Sequence, residues 1–179
     1  KKMNFSTIEF SYRTTDGVGF LTLNRPKRGN AISTKMGQEI HSVLDFLEKK
    51  KGSARVLVVR GAGNRHFCTG MDLSSTNQAE LSSALSSGSG AHNSYRLFSR
   101  LKHFYLPTIV YVNGAAFGGG FGLVFCFDVR IVHTSQAYFC FSEVKRGIVP
   151  ALISSFIVPE IGAFHATQWM LTGARMRPN

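Results

Sequence analysis

Acidic residues are scarce in this chain: Asp and Glu number 10 against 21 Lys and Arg, for a formal charge of +11. Such a field attracts polyanions such as the phosphates of coenzyme A, nucleic acid or acidic membranes, but it names none of them. Cysteine is sparse too. Cys68, Cys126 and Cys140 are odd in number and form no C-x-x-C pair, which argues against a disulfide framework or a zinc site and leaves buried, reduced thiols as the expectation. No apolar run approaches the ~20 residues needed to span a bilayer, and the opening KKMNFSTIEF lacks the apolar stretch of a secretory signal. The expectation is an intracellular protein, cytoplasmic or mitochondrial, that does not enter a membrane.

Several chemical signatures are also missing. There is no G-x-x-x-x-G-K-[ST] phosphate loop, no H-E-x-x-H metal site and no G-x-S-x-G nucleophile elbow. The dinucleotide pattern G-x-G-x-x-G fails at Leu123 when started from Gly118 and at Ala116 when started from Gly114. Ser142 to Lys145 spells S-x-x-K, but the partner motifs of penicillin-recognising enzymes are absent. No metal site is expected, and the six histidines are scattered as structural or surface residues.

What is present suits one globular domain over residues 1–179, since a chain that is 44% hydrophobic and 17% charged can bury a sizeable core. Val18 to Asn24 reads as a buried strand, followed by a turn at Pro26 and Gly29. From Thr34 to Lys50, Met36, Ile40, Val43, Leu44 and Leu47 fall on one helical face, with Ser33 or Thr34 as N-cap and Gly52 closing the end. Strands are expected at Val56 to Arg60, Thr108 to Val112, Val129 to Val132 and Tyr138 to Phe141. The serine-rich stretch Ser74 to Ser94 reads partly as a loop, and Leu97, Phe98, Leu101 and Phe104 mark a short amphipathic helix. Strands alternating with helices predict an α/β fold with a mostly parallel sheet.

Chemistry gathers at two glycine-bearing junctions. In RHFCTGMDL, Gly70 can take a backbone conformation denied to other residues and leave the Met71 N–H without a partner. In NGAAFGGGFGL, the glycines from Gly118 to Gly122 allow backbone and ligand to approach closely where a buried helix begins. Packing alone is the competing explanation for such glycines. Asp72 reads as a helix cap and Asp128 as a structural hydrogen-bonding residue.

Three motifs in order, LNRPKRGNAIS, RGAGNRHFCTGMDL and VNGAAFGGGFGL, resemble the crotonase (enoyl-CoA hydratase/isomerase) superfamily from near the start of the chain to Gly173. The resemblance implies a spiral of strand-and-helix turns and an acyl-CoA thioester as substrate. The thioester oxygen would be held by the N–H groups of Met71 and Gly119. It places Lys27 and Arg28 beside the CoA phosphates, and makes Ala31, Phe67, Cys68, Thr69 and Gly70 candidate walls for nucleotide and pantetheine. Gly118, Gly122 and Pro150 fall along the substrate. No cofactor is implied, because coenzyme A belongs to the substrate.

Family hydratases typically use two glutamates. Here the first position is Gly122 and the second is Glu143, the expected acid/base. The pairing of GGGFGL with SEVKRGIVPALISSFIVPEIG resembles a branch that hydrates or dehydrates branched glutaconyl-type thioesters, including hydratases of leucine breakdown. Hydratase or dehydratase is the first reading, and an enoyl-CoA isomerase using one base is the alternative. A basic RNA-binding or catalytically silent relative is the competing class, although no RNA-binding motif is present. The resemblance further implies a helical C-terminal region beyond a segment like WMLTGARMRPN, which these residues lack, and association as a trimer or hexamer.

Overall fold

The computed structural model describes residues 2–73 and 89–178. The main sheet has the order β1 (Lys2–Met3), β2 (Ile8–Arg13), β3 (Val18–Leu23), β4 (Val56–Gly61), β6 (Thr108–Val112) and β8 (Val129–Val132). A second sheet joins β5 (His66–Cys68), β7 (Ala115–Phe117) and β9 (Phe139–Cys140). From β3 to β8 the main sheet is parallel, while β1 and β2 run antiparallel at its edge. The α/β expectation holds. Strand β2 was not anticipated, although IEFSYR alternates strictly, burying Ile8, Phe10 and Tyr12 and exposing the residues between them.

Helix α1 (Thr34–Glu48) starts where Ser33 Oγ accepts the Met36 N–H at 3.2 Å, and its five expected apolar residues are all buried. It ends two residues before the expected Lys50. There, bonds from Lys50 N–H to Leu47 and from Lys51 N–H to Glu48 tighten the chain into a turn. Helix α2 (Ser89–Lys102) buries Leu97, Phe98 and Leu101. Most of the expected serine-rich loop, residues 74–88, lies outside the described residues. The helices α3 (Gly119–Val124), α4 (Ala151–Ile161) and α5 (Ala163–Thr172) follow. One continuous core links Phe10, Leu44, Leu57, Phe98, Val110, Phe127, Phe141 and Ile157. Among the described residues, no helix is long and apolar enough to cross a membrane.

The topology concentrates loops at one end. Strands β4, β6 and β8 finish at the same edge, and each is followed after a turn by one strand of the small sheet, which is also parallel. Asn113 fastens two of these turns. Its Oδ1 accepts the Gly61 N–H at 3.0 Å, and its Nδ2 donates to the carbonyls of Gly61 at 3.0 Å and Gly63 at 2.6 Å. Asp128 has the structural role expected of it, accepting the Thr108 N–H at 2.8 Å and hydroxyl at 2.7 Å. Asn113 is only 7% exposed, so Asn113→Ala strands buried backbone groups and should cost about 2–4 kcal/mol. The expected readout is a lower urea midpoint at unchanged slope.

Candidate active site

The first loop at this edge runs from the end of β3 to the start of α1. Pro26–Arg28 form a single 3-10 turn whose tip presents exposed Lys27 and Arg28 to solvent. Behind the tip, Asn30 is completely buried with φ 54°, a left-handed conformation that asparagine tolerates better than most residues. Its Oδ1 accepts the Arg25 N–H at 2.9 Å, and its Nδ2 donates to the carbonyls of Ala62 and His66, both at 3.0 Å. One amide thus ties three segments. Ala31 is buried next to it.

The second loop leaves β5. Phe67 and Cys68 have no exposed surface, and both side chains belong to the core, so any contact they make with a ligand would come from their backbone. Burial pushes the Cys68 thiol up to about 12, which keeps it an unreactive thiol. Thr69 is half-buried, and its N–H donates to Gly29 O at 3.0 Å. Gly70, at φ 97°, turns the chain so that Ile32 pairs with Met71 in a parallel bridge. The Ile32 N–H donates to Gly70 O at 2.8 Å, and the Asp72 N–H donates to Ile32 O at 2.9 Å. In this pattern the flanking residues take both bonds, and Met71's own N–H faces away from Ile32.

The third loop brings the partner donor. Gly118 has φ 48° and Gly119 opens α3, where a first-turn N–H has no intrahelical acceptor. A Cβ placed on Gly119 would lie 3.5 Å from the Met71 nitrogen, and one placed on Gly70 would lie 3.1 Å from the Gly119 nitrogen. The two N–H groups are therefore neighbours across a gap that a side chain at Gly70 would crowd. Their convergence on a single oxygen is geometrically feasible.

Glu143 arrives after β9. A Cβ on Gly118 would stand 2.9 Å from Glu143 Oε1 and 3.1 Å from Ser142 Oγ, so the carboxyl rests directly on the bare face of the glycine turn. Its Oε2 is buried without a hydrogen-bond partner. Burial raises the Glu143 carboxyl above its ordinary range, opposed more weakly by a hydrogen bond from its own backbone and by Arg146. Its side chain makes no capping bond to the 3-10 turn Val144–Arg146 that follows.

Two other expected positions serve packing. A Cβ on Gly122 would come within 2.5 Å of Ile153 Cβ, so α3 and α4 meet on that glycine. Pro150 is buried at the N-cap of α4. Asp72 pairs with Arg25, Nη2 to Oδ2 at 2.6 Å, and the segment it was expected to cap lies outside the described residues. Arg25, Asn30 and Asn113 were not singled out as site residues. The Gly29-Asn30 and Asn113-Gly114 dipeptides carry a turn signal, whereas nothing local marks Arg25 as Asp72's partner.

The comparisons with known proteins give the family and the fold. Residues 13–179 match the family described as enoyl-CoA hydratase/isomerase. The chain is 36% identical over 165 residues to an enoyl-CoA hydratase of Alternaria alternata, covering 90% of this chain and 51% of that protein. It is 33% identical over 177 residues to a hydroxycinnamoyl-CoA hydratase-lyase of Pseudomonas fluorescens, covering 94% and 63%. Pseudomonas aeruginosa AtuE superposes with a TM-score of 0.81 at 34% identity, covering 96% of this chain and 65% of that one. An enoyl-CoA hydratase from Shewanella pealeana gives 0.84 at 31% identity, covering 97% and 64%. The chain thus spans roughly half to two thirds of the relatives it matches, and over that span it has the crotonase fold and belongs to the enoyl-CoA hydratase/isomerase family.

Proposed function

We propose that this chain binds an acyl-CoA thioester, holds its carbonyl oxygen between the N–H groups of Met71 and Gly119, and adds or removes water with Glu143 as acid/base. The position of Glu143 Oε1 against Gly118, one residue from a donor, is the observation that carries this reading. In hydration, water oxygen bonds to Cβ of the enoyl chain while the carboxylate accepts the water's proton. The displaced π electrons move to the thioester oxygen, where the two N–H groups stabilise them. Returning the proton from Glu143 to Cα restores both the thioester and the carboxylate. A carboxyl whose burial raises its proton affinity suits this two-way traffic near neutral pH.

A branched, glutaconyl-type acyl group is the substrate class we favour, on the resemblance of GGGFGL and SEVKRGIVPA to that branch. Exposed Lys27 and Arg28 would contact the CoA phosphates. Trimeric or hexameric association belongs to the same proposal, and sedimentation of the full-length protein tests it. Isomerisation is the second reading, favoured by the contact between Gly122 and Ile153: with no room for a carboxylate there, Glu143 could carry a proton between two carbons by itself. RNA binding gains no support from the aromatic residues: Phe10, Phe67, Phe98, Phe127 and Phe141 are fully buried, and the exposed Phe20, Tyr95, Tyr105 and Phe164 sit on different segments of the chain.

A panel of short, long and branched enoyl-CoAs, followed for water addition and double-bond migration, separates the two chemistries. Glu143→Gln should lower turnover roughly 100-fold or more with acyl-CoA binding little changed. Unaltered turnover would assign the proton to another group. Gly119→Pro removes one donor and should cost roughly 100-fold or more in turnover together with affinity. The pH dependence of stability gives a separate check. Because the folded state raises the Glu143 carboxyl, the native protein holds that proton more tightly than the unfolded chain does. Its stabilising contribution is complete below the ordinary value of 4.5 and is lost as pH rises through the folded value. Glu143→Gln should therefore be more stable than the wild type at pH 7, and the difference should shrink towards acid pH in denaturant titrations.

A further inference from the structure

We propose that Arg25 and Asp72 form a positioning clamp that sets the direction of the Met71 N–H; the inference rests on the reading of that N–H as a thioester donor. The Met71 N–H shares a planar trans peptide unit with the Gly70 carbonyl and points opposite to it, so its direction is set by what holds that carbonyl, and the next unit, ending at the Asp72 N–H, limits rotation from the other side. Gly70 is held through its carbonyl by the Ile32 N–H at 2.8 Å, and Asp72 through its N–H by the Ile32 carbonyl at 2.9 Å. Both bonds depend on where residues 30–32 lie. The Arg25 guanidinium grips both sides of that bridge at once: Nη1 donates to Ala31 O at 2.6 Å, and Nη2 pairs with Asp72 Oδ2 at 2.6 Å.

Arg25 is itself anchored, since its N–H donates to the buried Asn30 amide at 2.9 Å. The ion pair is well shielded, with side-chain exposures of 20% for Arg25 and 9% for Asp72, so solvent screens it less than a surface pair. The planar fork matters as much as the charge. A lysine can meet one of the two acceptors, whereas guanidinium meets the carbonyl and the carboxylate from a fixed frame. The clamp thus converts a hydrogen-bonded bridge, which tolerates some rotation of the intervening peptide, into a fixed one. A donor aimed at a developing oxyanion loses value steeply with small misplacement.

The test uses Arg25→Met and Asp72→Asn, each alone and together, in the full-length protein. Turnover is measured in the otherwise wild-type background. Donor alignment is measured in the Glu143→Gln background, where a 2,4-dienoyl-CoA binds without being consumed. Its long-wavelength absorption shifts to the red when the thioester carbonyl is polarised. Each variant is expected to lose about 10-fold or more in kcat with KM within about threefold, and to shrink the red shift of the bound chromophore. The double variant should be no worse than the more damaged single one, because the two residues act as one unit. Arg25→Lys should keep the fold and recover only part of the shift. A full red shift in either single variant would overturn the clamp and leave the two-donor reading intact. No red shift even with Arg25 and Asp72 present would overturn the two-donor reading and the clamp with it. A fall in kcat that matches the unfolded fraction, with the shift unchanged in the folded remainder, would reduce the pair to a structural contact and overturn the inference.

Discussion

Buried backbone groups need hydrogen-bond partners, and at the edge where β4 and β6 end the chain turns sharply with no ladder to supply them. Asn30 and Asn113 meet that need. Between them these two side chains bond to the backbone of Arg25, Gly61, Ala62, Gly63 and His66. The small sheet depends on this, because β5 and β7 start from the turns that the asparagines fix. The small sheet in turn places Gly70 against the Phe117 carbonyl and the Gly119 nitrogen. The proximity of the Met71 and Gly119 donors is thus a consequence of two buried amides some distance behind them.

The excess of positive charge looks different once the ion pairs are counted against it. Arg100 meets Asp45 and Glu48, Lys102 and Arg130 share Glu160, and Arg25 meets Asp72. The few acids in this chain are therefore engaged at structural positions, which leaves cations such as Lys27 and Arg28 exposed at the tip of a loop. Their long-range attraction for an anionic ligand would be screened over about 10 Å at 0.1 M salt, so they act at contact range and during approach. Among the described acids, Glu143 is the exception: its Oε2 is buried without a hydrogen-bond partner, and burial favours the protonated form.

Helix α1 was legible in the sequence because five apolar residues at helical spacing and a serine cap agree with one another. The strands from β3 onward in the main sheet were legible for a similar reason, and the glycine junctions stood out by composition. Strand β2 carried an equally clear alternation and was passed over. Of the small sheet, β9 was legible within the expected strand Tyr138 to Phe141, whereas β5 and β7, three residues each, are too short to show a period. Contacts between distant residues were also hidden. Arg25 finds Asp72 across 46 intervening positions, and the collision awaiting a side chain at Gly122 depends on Ile153 in another helix. Burial likewise separated Phe67 and Cys68, which point inward, from Thr69 beside them.

The contact of Gly122 with Ile153 has a chemical corollary. Adding a side chain at a close-packed helix crossing forces the neighbours apart, at a typical cost of about 1–3 kcal/mol, and a carboxylate adds the cost of burying charge. A carboxylate side chain at Gly122 would therefore collide with Ile153. Under the proposed function the proton transfer falls to Glu143, whose carboxyl rests against Gly118. A single carboxyl can serve as both acid and base only if its two forms are close in free energy at working pH, and burial moves Glu143 in that direction.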